Sequence, residues 1–118
     1  MDEHKRRELG ERLAKATGAL RSDVAALGRR CEWGMFTDHA SAEYVPDVLD
    51  GGTMRAALEW AREVTGRPAL FVGVVLGQWR ALDGDQDAPG VSDVLSDACA
   101  TEAEAHVALA EWAARNRK

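Results

Sequence analysis

The residue types in this 118-residue chain that most directly suggest chemistry are its two cysteines and three histidines. Cys31 precedes His39 by eight residues, and Cys99 precedes His106 by seven. Four such ligands can hold zinc tetrahedrally, but structural zinc sites draw theirs from close pairs, and neither spacing is close. Free cysteines acting as small buried hydrophobes are the ordinary alternative.

A second pattern joins carboxylate to imidazole. His39 and Glu43 stand four residues apart, as do Glu102 and His106. On facing helices the two pairs would make a metal site of the kind found inside helical bundles. The competing reading of His106 is a surface residue flanking the apolar stripe at Ala105. A third pattern, DGDQD at 83–87, offers alternating hard oxygen ligands. A calcium loop would need Gly at its sixth position and Glu at its twelfth, where Ala88 and Val94 stand, so a solvated acidic turn is favoured.

Aromatic residues form the fourth pattern. Four tryptophans are many for this length. Trp79 and Trp112 fall on apolar stripes and read as core. Trp33, Phe36, Tyr44 and Trp60 have weaker periodic reasons to be inside, and aromatic side chains of this kind anchor interfaces. They are the candidate contact patch, with closure over a common core as the alternative. The chain has no phosphate-binding glycine loop, nucleophile elbow or HExxH pattern. No catalytic residue is assigned, no cofactor is called for, and a non-enzymatic role is favoured.

Charge narrows the partners. The net charge is −5, with a pI near 5.2. Residues 1–30 carry eight basic and five acidic residues, while residues 31–118 carry seven and fifteen. An acidic body repels nucleic acid and anionic membranes. Only Lys5, Arg6, Arg7, Arg12 and Lys15 offer a basic face, and Glu8 and Glu11 interrupt it, so nucleic acid is disfavoured. Twelve of the fifteen basic residues are arginine, which with abundant alanine suggests the GC-rich coding of a high-GC bacterium or phage. The opening MDEHKRRELG lacks the apolar run of a secretory signal, so a cytoplasmic location with reduced thiols is expected.

These residues need elements to position them. The length suggests one domain across 1–118, large enough for its own core. Leu9, Leu13, Ala16, Leu20, Val24 and Leu27 recur at helical steps, predicting a long amphipathic helix over 2–30. It serves the core or a dimerising arm. Residues 31–52 are broken by Gly34, Pro46 and Gly51–Gly52 and form an irregular segment, with room for a short helix near 38–45. Thr53 can cap a helix over 53–65 whose stripe is Met54, Leu58, Ala61 and Val64.

The most apolar run, RPALFVGVVLGQW at 67–79, is far shorter than the ~20 residues of a membrane span. Its valines and glycines favour a strand. Phe71, Val75, Trp79 and Leu82 instead recur at steps of four, four and three, and no partner strand is evident. A central buried helix over 68–82 is therefore expected. Residues 90–116 carry two further helical stripes, Val91–Val94–Leu95–Ala98 and Ala105–Ala108–Leu109–Trp112, separated by a capping box, TEAE at 101–104.

The expected fold is an all-α bundle of about five helices. The alternative is α+β, with strands near 69–76 and 31–36. The expected function is a small acidic protein-interaction module, a regulator, inhibitor or accessory subunit, that binds a protein partner or itself through helix 2–30. The alternative is a metal- or small-ligand-binding bundle using His39, Glu43, Glu102 and His106.

Overall fold

The computed structural model describes residues 3–17 and 51–118. These form three helices, α1 (Glu3–Ala16), α2 (Gly51–Thr65) and α3 (Glu102–Arg115), and three strands, β1 (Leu70–Val75), β2 (Gln78–Asp83) and β3 (Asp93–Val94). The strands make an antiparallel sheet in the order β1-β2-β3. The fold is therefore α+β, and the expected all-α bundle is overturned.

The error lies in residues 68–82. They form a hairpin, and the missing partner of the first strand is the remainder of the same run. Phe71 pairs with Leu82 and Val75 with Gln78 across a two-residue loop, Leu76–Gly77. Both loop residues have positive φ, 52° and 78°, the pattern of a type I′ turn whose twist matches the flanking strands. The helical spacing of Phe71 and Leu82 was coincidental: they are cross-strand neighbours, both buried. Gly73 lies beneath them, and a Cβ there would come 3.0 Å from the Phe71 ring.

The region 90–100 is corrected for the same reason. After a short 3₁₀ turn (Pro89–Val91) it supplies β3 rather than a helix, and the expected stripe residues Val91 and Val94 are exposed. The Asp87 N–H donates to Asp85 Oδ1, closing the acidic turn on itself.

The helix surrounded by the rest of the molecule is α3. Thr101 Oγ1 accepts from the Glu104 N–H at 3.1 Å, which forms the cap half of the expected box, while Glu104 accepts from the Ala100 N–H, one residue before the cap. Small residues let other elements approach closely on two sides. Ala103, Val107 and Ala110 pack on Leu9 and Leu13 of α1 and Ala57 of α2. Leu109 and Ala113 pack on Ala61 of α2, Leu70 of β1 and Ala81 of β2. Burying each leucine fully contributes about 1.5–3 kcal/mol relative to exposure.

Helix α1 thus spends Leu9 and Leu13, the described part of its apolar stripe, inside the molecule. Lys5 and Arg12 pair with Glu104 and Glu111 of α3. At the other end Arg67 donates to Asp83 at 3.0 Å and lies over the Trp112 ring, tying the α2–β1 loop to sheet and helix.

Candidate functional site

Most of the expected site lies outside the described residues: Cys31, Trp33, Phe36, His39, Glu43 and Tyr44, with the second half of helix 2–30 and the segment before Gly51. Of the contact patch, Trp60 is described. It is half-buried, packs against both core clusters and carries Arg117 over its ring at 5.4 Å.

Of the carboxylate–imidazole set, Glu102 and His106 are described, one turn apart on α3. The Glu102 side chain is exposed, whereas His106 is buried at 6% exposure rather than on the surface. The carbonyl of Glu102 lies 3.0 Å from His106 Nδ1, which places the proton on that nitrogen. Burial lowers the His106 pKa, opposed by the Glu102 carbonyl and charge, so the ring is neutral. Among the described residues no group of three His, Cys, Asp or Glu is placed to hold a metal.

Two other surfaces stand out, one at each edge of the sheet. The first is the free edge of β1. Val75 and Gln78 flank the two-residue loop as a hydrogen-bonded pair, and this phase continues down the hairpin to the Gly84 N–H, which donates to Ala69 at 3.2 Å. The N–H and C=O groups of Leu70, Val72 and Val74 therefore point away from β2. Arg62 Nε donates to the Leu70 carbonyl at 2.9 Å. Among the described residues nothing pairs with Val72 or Val74 on that side. Val74 is 43% exposed, and Leu76 at the hairpin tip is 98% exposed.

Leu76 has no folding rationale. A non-glycine residue in the left-handed region costs roughly 1–2 kcal/mol, and a solvated leucine side chain returns nothing.

The second surface lies beside β3. A straight continuation of the β2–β3 ladder would set Asp97 opposite Trp79, but Cys99 stands there, so two extra residues are taken up in a bulge. Side chains replace the lost ladder bonds. Ser96 Oγ accepts from the Ala81 N–H at 2.9 Å, and Arg80 donates to the Ser96 carbonyl at 3.0 Å. The bulge borders a cleft of about 610 Å³ whose lining includes Arg12, Arg80, Asp97, Cys99, Glu111 and Arg115. Burial and the Glu104 charge push the Cys99 thiol above its ordinary pKa, so it is protonated at neutral pH and poorly nucleophilic.

Reading the sequence missed both surfaces. The Leu–Gly pair between two apolar runs was the available signal for the hairpin, but it is weaker than Asn–Gly or Asp–Gly. Ser96 and Arg80 carry no sequence signal, because their roles exist only once the bulge has formed.

No helix among the described residues is long and apolar enough to cross a membrane. No family model matches the chain, and comparison with curated proteins and with solved structures finds no match.

Proposed function

We propose that the protein is an interaction module that works by strand addition, taking an extended segment of a partner protein along the outer edge of β1. The observation that carries this reading is the edge at Val72 and Val74, unpaired among the described residues, beside an exposed, strained Leu76. Main-chain hydrogen bonds supply affinity in this mode, and alternate side chains supply specificity. The strand LFVGVV contains no charge or proline that would blunt its edge. Leu76 gives an apolar anchor at one end, and Arg62 closes the other.

The test is affinity capture with three forms of the protein: wild type, Val74→Lys and Leu76→Asn. A polypeptide retained by the wild type and released by both variants, each with unchanged circular dichroism, is the expected result. Capture that neither substitution weakens would overturn the reading.

The arginine-lined cleft supports a second reading, a site for a small polar anion. Arg115 has no carboxylate partner among the described residues, and the volume lies within the range of small-ligand pockets. A small mass retained in native mass spectra and lost in Arg115→Ala is expected on this reading. Identical spectra for the two proteins would remove it.

A further inference from the structure

We infer that the partner of the β1 edge is a second copy of the same edge, paired antiparallel about Gly73. This rests on the strand-addition reading and adds the identity of the partner. Residues 70–76 read LFVGVVL, which is nearly the same in both directions about Gly73. Leu70 mirrors Leu76, Phe71 mirrors Val75, and Val72 mirrors Val74. A two-fold axis through Gly73 sets each residue opposite its mirror position in the second copy, so the strand meets an almost identical apolar sequence.

The free hydrogen-bonding groups select the same register. Val72 and Val74 are the residues whose outward N–H and C=O groups both lack partners among the described residues; at Leu70 the carbonyl is taken by Arg62. Placing Val72 opposite Val74 of the second copy, and the reverse, satisfies all of them with two hydrogen-bonded pairs. Gly73 then meets Gly73 in the non-hydrogen-bonded position between them, where strands come closest and a side chain would crowd most.

The ladder also ends where the structure ends it. The next outward carbonyl, that of Leu70, is already taken by Arg62, and its mirror position is the turn residue Leu76. Leu76 would lie against the Arg62–Leu70 end of the second copy, which accounts for an apolar side chain held in the left-handed region and in solvent. No charged residue stands in the strand, so none faces its own kind across the axis. The product is one continuous six-stranded sheet built from two three-stranded ones.

So short a ladder falls below the ~1,200 Å² of stable interfaces, and two copies of net charge −5 repel. The dimer is therefore weak and is strengthened by salt.

The experiment is sedimentation velocity across a concentration series, with amide exchange followed at Val72 and Val74. The wild type is expected to pass from monomer to dimer, with both amides gaining protection as dimer accumulates. Val74→Lys is expected to weaken association at least about tenfold, since it buries a charge without a partner, while its circular dichroism stays that of the wild type. A monomer at every concentration, or a dimer that Val74→Lys leaves intact, would overturn the inference. If the monomer nevertheless retains a polypeptide that Val74→Lys releases, strand addition stands and the second copy is the wrong partner. If the wild type neither dimerises nor captures, both readings fall.

Discussion

At one edge of the sheet, β3 is two residues long, carries Asp93 and gives way to a bulge; at the other, β1 runs six residues with no charge, proline or bulge. Short strands, charges and bulges are how proteins keep a sheet edge from recruiting further strands. The β3 edge has all three. Its bulge is fixed to β2 by side chains, Ser96 Oγ accepting from the Ala81 N–H and Arg80 donating to the Ser96 carbonyl. Among the described residues the β1 edge has one guard, Arg62, placed at the end far from the hairpin tip. Among the described residues the chain therefore protects one edge and leaves the outer side of Val72 and Val74 unpaired at the other. Val74 and Leu76 are exposed along this edge, an aggregation hazard that the strand-addition proposal explains as a contact surface.

The strand common to both edges is β2, so the largest expected effect comes from breaking it. Leu82 is fully buried and pairs with Phe71. Leu82→Ala is expected to cost about 2–5 kcal/mol, and denaturant unfolding will measure it. Both edges should lose amide protection together; loss at one alone would mean that they are independent units.

Ser96→Ala attacks the guarded edge by itself. It leaves the Ala81 N–H without its side-chain acceptor, an expected loss of about 1–3 kcal/mol. Amide exchange should quicken at Ala81 and hold steady at Val72 and Val74. Equal loosening at both edges would contradict the bulge as a local device.

Leu76→Asn sharpens the comparison from the open side. Asparagine tolerates positive φ, so stability is expected to rise by about 1 kcal/mol while association weakens. Opposite movement of the denaturation midpoint and the binding signal is the signature of a residue kept for contact. A fall in both would make Leu76 structural.

The smallest effect acts through α3, which supports both edges. Burial holds His106 neutral, with a pKa below the ordinary 6.5. The unfolded chain therefore binds the proton first. Stability is full above about pH 6.5 and declines as the pH falls below that value. Melting temperatures across that window should fall less for His106→Gln than for the wild type.

The legible parts of this molecule are those whose cause is local. The TEAE box and the stripe after it mark α3, because a cap and its helix bond within a few residues of sequence. The α2 stripe and the Leu9–Leu13 portion of α1 were readable for the same reason. The run at 68–82 misled because its steps of four and three match a helix while its valines and glycines match a strand. The stripe at 91–98 misled because four apolar residues suffice to imitate a helical face by chance. The candidate site was less legible than the fold. Trp60 was singled out and stands half-buried between two clusters, whereas Val74, Leu76, Ser96 and Arg80 went unmarked.

What the sequence determined by itself is the apolar stripe of α2, α3 with its Thr101 cap, a net charge of −5 and a near-palindrome around Gly73; the expected Thr53 cap fails, because α2 begins at Gly51. What only the tertiary structure decided is which residues are strands, which edge is left open and where the bulge falls. A helix satisfies its backbone from neighbours in sequence, so its evidence is local. A strand satisfies its backbone from another strand. Whether residues 70–75 are a strand, and whether their outer edge remains unpaired, depends on where β2, α3 and Arg62 come to rest.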